Sequence, residues 1–164
     1  MISFEKCICD FQLKATAELA NEIWNEYFLS IISQDQIDYM VDKFQSFFAM
    51  KQQINEGYSY YNIMLDGNVI GYFAVCPKND GTLFLSKLYL KKEYRGRGYA
   101  SLAFSFIKGL AKGMGLKSVW LTVNIHNDTA ISAYNAFGMK KIRSQIVDIG
   151  EGFVMDDFVF EISV

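Results

Sequence analysis

The sequence predicts a mixed α/β fold, and three observations carry that expectation. Between Thr82 and Lys112 an apolar, β-favouring run breaks into a charged loop with two glycines, then resumes at helical spacing. Upstream, Tyr58 to Leu65 and Val69 to Cys76 flank Asp66-Gly67-Asn68, a hairpin signal, because Asp-Gly supplies the positive φ angles of a tight turn. Downstream, Lys140 to Ile149 and Phe153 to Ile162 meet at Gly150-Glu151-Gly152, the pattern of two closing strands.

Ile2 to Cys9 partly alternates and reads as a first strand. Ala15 to Phe28 reads as a helix, with Leu19, Ile23, Trp24, Tyr27 and Phe28 on one face. Ser33 or Asp35 is placed to cap a second helix that runs to Asn55 and ends at Gly57. Its inner stripe is Ile37, Met40, Val41, Phe44, Phe47 and Phe48. After the hairpin, Pro77 (the only proline) and Asn79-Asp80-Gly81 make a turn into the strand Thr82 to Leu90. Leu102, Ala103, Phe106 and Leu110 then recur at three- and four-residue spacing in a helix from Tyr99 to Lys112, broken by Gly113 and Gly115. Ser118 to Val123 is the next strand, and Asp128 to Phe137 is a short helix ended by Gly138. The expected result is a sheet of about six to seven strands flanked by about four helices. A chain of 164 residues without repeat, linker or low-complexity segment is expected to form one domain over 1–164.

Composition excludes several classes. At 51% hydrophobic and 16% aromatic, the chain is far from disorder. A net charge of −2 argues against a general nucleic-acid binder, and the positive charge that exists gathers between Lys87 and Arg97. The cysteines, Cys7, Cys9 and Cys76, are odd in number and offer only a Cys-x-Cys pair, so reduced thiols and a cytoplasmic setting are expected. One histidine supplies a zinc site poorly, and no metal is expected. Met1 to Asp10 carries Glu5, Lys6 and Asp10, unlike a signal segment, and no apolar run reaches the roughly 18 residues that would cross a bilayer.

The loop Lys91 to Ala100 is the chemical centre of the chain. The first turn of a helix has unpaired N–H groups and the positive end of the macrodipole. Gly96 and Gly98 let a ligand approach the backbone, and Arg95 and Arg97 add fork-shaped donors suited to phosphate oxygens. The junction is built to hold a phosphate or pyrophosphate. It is neither Gly-x-x-x-x-Gly-Lys-Ser/Thr nor the dinucleotide fingerprint Gly-x-Gly-x-x-Gly, so neither a nucleoside triphosphatase nor a dinucleotide enzyme is indicated.

On these residues the chain resembles the GNAT superfamily of acetyl-CoA-dependent N-acetyltransferases. The family motif Gln/Arg-x-x-Gly-x-Gly/Ala is met by Arg95, Gly98 and Ala100. A second motif, Asn-x-x-Ala-x-x-x-Tyr after a strand, is met by Asn127, Ala130 and Tyr134, with Phe137-Gly138-Met139 where the family often has Gly-Phe. The match is specific from Thr82 to Met139 and architectural elsewhere. The resemblance implies a central twisted mixed sheet and acetyl-CoA as cosubstrate. It places Leu88, Tyr89 and Leu90 along the pantetheine arm. The pyrophosphate falls on Arg95, Gly96, Arg97, Gly98, Tyr99 and Ala100, and Asn127 is a polar contact to the arm. Asn127 fits a helix N-cap equally, and the two roles are compatible.

The resemblance further implies direct attack by a primary amine in a ternary complex, with Tyr134 donating a proton to the departing sulfur. A phenol, whose ordinary pKa is about 10, is close enough to a thiol for that transfer. A core aromatic on a short helix is the alternative for Tyr134. The base stays open among Glu22, Glu26, Asp156, Asp157 and His126. For the acceptor, a small-molecule or peptide amine, aromatic and acidic residues implied by the resemblance include Trp24, Tyr27 and Asp156, suited to a cation. No nucleic-acid or membrane partner is expected, and an exposed sheet edge could support a homodimer. A catalytically silent acyl-CoA-binding module on the same fold is the alternative function.

Overall fold

In the computed structural model, which describes residues 1–164, seven strands and five α-helices follow one another along the chain. The strands are β1 (Ile2–Lys6), β2 (Ser59–Leu65), β3 (Asn68–Pro77), β4 (Thr82–Leu90), β5 (Ser118–Asn124), β6 (Lys140–Gly150) and β7 (Phe153–Ser163). The helices are α1 (Asp10–Tyr27), α2 (Gln34–Met40), α3 (Phe47–Asn55), α4 (Tyr99–Gly113) and α5 (Asp128–Ala136). One mixed sheet holds the strands in the order β1-β2-β3-β4-β5-β7-β6, with β5 parallel to β4 and antiparallel to β7. Residues gather into two compact units, Met1–Cys76 with Lys87–Ala103, and Pro77–Ser86 with Phe104–Val164.

In the first unit the β2–β3 hairpin turns as Asp-Gly demands, with Asp66 at φ 49° and Gly67 at φ 83°. Its core joins Leu13, Leu19, Ala20 and Ile23 of α1 to Met50 of α3 and to Tyr60, Tyr72 and Ala74 of the hairpin. The single helix expected from Ser33 to Asn55 is three pieces. Ser33 caps α2, its Oγ accepting from Gln36 N at 3.1 Å. Val41–Gln45 widens into a π-turn, and Ser46 then adopts an extended conformation and caps α3 through Ala49 N at 3.2 Å. The break turns Phe48 outward, 80% exposed, and brings Met50 fully inside. A helix can be interrupted there because the carbonyls it frees find donors: Phe44 O accepts from Gln53 Nε2 at 3.1 Å and from the Lys87 ammonium.

Gly71 fixes how closely β3 approaches the end of β4. A Cβ added there would lie 2.3 Å from the Tyr89 carbonyl oxygen and 3.1 Å from Leu90 Cα, both of them backbone atoms that cannot swing aside. Gly71→Ala is therefore expected to destabilise the fold by about 3 kcal/mol, read as a lower urea midpoint at unchanged slope.

In the second unit Val119, Leu121 and Val123 of β5 pair with Ile162, Phe160 and Phe158 of β7. On that face Tyr134 packs against Phe160 and Phe137, and Phe137 stacks on Phe104 at 5.0 Å. The buried stripe of α4 is Ala103, Phe104, Ile107 and Ala111, one position round from the expected one, and Leu102 is 47% exposed. The β6–β7 turn uses positive φ at Gly150, Glu151 and Gly152 (97°, 53° and 79°). No helix is long and apolar enough to cross a membrane.

Candidate active site

The first unit carries the glycine-rich loop after β4. β4 stops at Leu90, and Lys91 N donates to Ile70 O at 2.8 Å. A single 3₁₀ turn, Lys92–Tyr94, follows, closed by Arg95 N to Lys92 O at 3.3 Å. The next N–H used in a turn or cap is that of Leu102, to Gly98 O at 3.2 Å. Between the two, the N–H groups of Gly96, Arg97, Gly98, Tyr99, Ala100 and Ser101 enter no turn or cap hydrogen bond. Gly96 (φ 72°) and Gly98 (φ 85°) hold the left-handed conformation that turns successive amides toward one side. A Cβ at either glycine would meet nothing within 4 Å, so both glycines border open space. The N-terminus of α4 adds its positive dipole end to them.

The two arginines divide their tasks. Arg95 is folded back on its own unit: Nε donates to Leu90 O at 3.0 Å, one terminal nitrogen pairs with Glu26 at 2.7 Å, and the guanidinium lies 4.8 Å over the Tyr27 ring. It fixes the loop to α1, and its side chain offers little to an incoming anion in this conformation. Arg97 is exposed and has no ion pair, which leaves its guanidinium available.

The residues along β4 face different surroundings. Tyr89 packs edge-on against Trp24 and Phe28 of the α1 region and beside Tyr72. Trp24 itself is 4% exposed and stacks on Phe28 at 4.1 Å, so it is a wall of the core beneath Tyr89 and has no face open to an acceptor. Tyr27 is half-buried under Arg95. Leu88 is half-buried and Leu90 buried.

Lys87, one residue before this segment, is buried and was not singled out as a site residue by its sequence context. Its Nζ donates to Gln53 Oε1 at 3.0 Å and to Phe44 O and the Tyr60 hydroxyl, three acceptors for three ammonium protons. No carboxylate joins them, and burial pushes the ammonium down to about 7. Since the unfolded chain holds this proton up to about 10.4, it binds more protons than the folded chain in between, and stability rises with pH there. Burial raises the pKa values of Cys7, Tyr60 and Tyr72, which opposes the trend at higher pH. Stability is thus expected to climb from about pH 7 to about pH 8.5, and Lys87→Met should flatten that climb in urea titrations at each pH.

The second unit carries Asn127, Tyr134 and two of the carboxylate candidates, Asp156 and Asp157. Asn127 is buried and caps α5, its Oδ1 accepting from Ala130 N at 3.3 Å while its N–H donates to Asn124 O at 2.9 Å. The helix-cap reading of Asn127 is therefore present in the structure. Tyr134 is half-buried on the inner side of α5, held by its ring contacts to Phe137 and Phe160. Among the base candidates, Glu22 and His126 are exposed, and Glu26 is taken by Arg95. Asp156 is partly exposed, and its carbonyl accepts from Ile125 N. Asp157 is 3% exposed, opposite Asn124 on β5 and Gln145 on β6. Its Oδ2 has no hydrogen-bond partner, and burial, with the neighbouring Asp156 charge, pushes the carboxyl up to about 6. No group of three or more His, Cys, Asp or Glu side chains is arranged to hold a metal.

A row of unclaimed amides between a parallel-paired strand and the helix that follows places the chain among α/β proteins. Comparison with known proteins makes this specific. The model of the acetyltransferase (GNAT) family matches residues 16–139, and the chain belongs to that family. It is 36% identical over 75 residues to an uncharacterized N-acetyltransferase of Mycobacterium tuberculosis, covering 46% of this chain and 48% of the relative. The chain thus spans about half the length of the curated relative it matches. The fold is similar to that of the PaiA N-acetyltransferase from Thermoplasma acidophilum in complex with coenzyme A, with TM-score 0.81 and 22% identity over 100% of this chain and 99% of that one. A Bacillus anthracis protein assigned as a streptothricin acetyltransferase by its name alone, in complex with acetyl coenzyme A, aligns over 66% of this chain and 63% of that one, with TM-score 0.60 and 14% identity.

Proposed function

We propose that this protein is an acetyl-CoA-dependent N-acetyltransferase that acylates a primary amine of a small molecule or peptide by direct attack in a ternary complex. The observation that carries the reading is the run of six unclaimed amides from Gly96 to Ser101 behind two left-handed glycines. A diphosphate satisfies such donors better than water does, because its charge is fixed and the helix dipole is aligned with it. Coenzyme A carries that diphosphate, and two structural neighbours are recorded with coenzyme A or acetyl coenzyme A.

The remaining roles follow from what each step of acetyl transfer needs. Leu88, Tyr89 and Leu90 end a strand whose backbone would guide the pantetheine arm. Asn127 caps α5 and so fixes the start of the helix that bears Tyr134. The Tyr134 phenol supplies the proton the leaving thiolate requires. Asp156, partly exposed, contributes a charge suited to a cationic acceptor, whereas the Tyr27 ring is already covered by Arg95 and Trp24 is a core residue. Release of free thiol from acetyl-CoA, followed with a panel of primary amines, tests the proposal. Amine-dependent thiol release is expected. No turnover together with no coenzyme A binding would overturn it.

A further inference from the structure

We infer that Glu26 is a positioning residue for the cosubstrate: acting through Arg95, it presets the glycine loop that receives the diphosphate. This rests on the acetyltransferase reading above. Arg95 is held at three points, all of them within the first unit. Its Nε donates to Leu90 O at 3.0 Å, a terminal nitrogen meets Glu26 Oε1 at 2.7 Å, and the guanidinium lies 4.8 Å over the Tyr27 ring. Leu90 is the last residue of β4, and Glu26 and Tyr27 are the last two of α1. One side chain therefore ties the end of a strand to the end of a helix.

The helix end suits that role. The last turn of α1 has no basic residue of its own, and Arg95 brings a cation to the negative end of its dipole. The side chains of Arg95 and Glu26 are 26% and 36% exposed, so water screens their attraction only in part. Lysine is no substitute here. Only a planar guanidinium reaches a carbonyl through Nε, a carboxylate through a terminal nitrogen and a ring through its face at once.

The clamp fixes the residue after which the free amides begin. Arg95 is extended, with φ −74° and ψ 154°, and Gly96 follows at φ 72°. Gly96 and Gly98 give an unrestrained loop many conformations, and ordering them opposes binding. Anchoring Arg95 removes part of that cost before the ligand arrives. Glu26 therefore raises affinity for coenzyme A although it carries the same sign of charge as the diphosphate. Coulomb repulsion alone would act the other way, so that removing the carboxylate would tighten binding.

Calorimetric titration of the whole chain with coenzyme A tests this, together with steady-state kinetics on acetyl-CoA and whichever panel amine reacts. Glu26→Gln should weaken coenzyme A binding about fivefold and raise KM for acetyl-CoA by a similar factor, with kcat within about twofold of wild type. Arg95→Lys should lose about as much, although it keeps the charge. In an Arg95→Gln background, Glu26→Gln should have no further effect, because its route to the loop is gone. Each variant should melt close to wild type, since a pair this exposed adds little to global stability. Tighter coenzyme A binding in Glu26→Gln overturns the inference, because the carboxylate would then be repelling the ligand or withholding a phosphate donor. Unchanged affinity in Glu26→Gln overturns it as well, as does a Glu26→Gln loss that persists in full beside Arg95→Gln. Failure of wild type itself to bind coenzyme A would instead overturn the parent reading, and this inference with it.

Discussion

Gly98→Glu is expected to abolish binding of coenzyme A while leaving the fold intact. Gly98 holds φ at 85°, and a Cβ there would meet nothing within 4 Å, so the new side chain has room beside the free amides. Two effects then act together. The left-handed backbone strains any L residue by about 1 kcal/mol, which shows as a modest loss of stability. The carboxylate occupies the space of the diphosphate and offers it a like charge, which removes binding. Affinity should fall by about 100-fold or more, equivalent to about 3 kcal/mol, when measured calorimetrically with coenzyme A. Gly98→Ala separates the two terms, since it carries the backbone strain without length or charge and should bind within about tenfold of wild type. Coenzyme A affinity unchanged in Gly98→Glu would place the diphosphate elsewhere.

That this loop could be read from the sequence at all has a physical reason. Glycine at φ values of 72° and 85° is a backbone requirement that few residues meet, and the requirement is printed in the chain as Arg95-Gly96-Arg97-Gly98. The same holds for Asp66-Gly67 and Gly150-Glu151-Gly152, where turn geometry selects the residues and the flanking strands follow. What escaped the sequence depends on partners distant along the chain. Nothing local to Gln45-Ser46-Phe47 says that the helix must stop there. The break is stabilised by Lys87 and Gln53 donating to Phe44 O and by Tyr72 donating to Gln45 Oε1 at 2.8 Å. Arg95 reads as a phosphate donor until α1 supplies Glu26 and Tyr27 to fold it back. Asp156 and Asp157 are equivalent in sequence, and only the pairing register of β7 with β5 and β6 tells which of the two is buried. Local conformational demands are thus legible, whereas the choice between two chemically identical neighbours is made by packing.

Tyr134→Phe should separate chemistry from architecture in the second unit. The ring is what the fold uses: its centroid lies 6.2 Å from that of Phe137 and 6.3 Å from that of Phe160, contacts a phenylalanine repeats. In the proposed reaction the hydroxyl is the proton donor, because a departing thiolate needs a proton. The variant is expected to lower kcat by about 100-fold while KM for acetyl-CoA stays within about twofold, since the missing proton is delivered only as the C–S bond breaks. The deficit should shrink when the acyl donor is an acetyl thioester of a more acidic thiol, whose anion leaves without help. A hydroxyl of purely structural value would give the reverse pattern, a lower melting temperature with kcat nearly unchanged and the same deficit for every thioester. The comparison across leaving groups decides between them, because packing of Phe137 and Phe160 does not depend on which thiol departs.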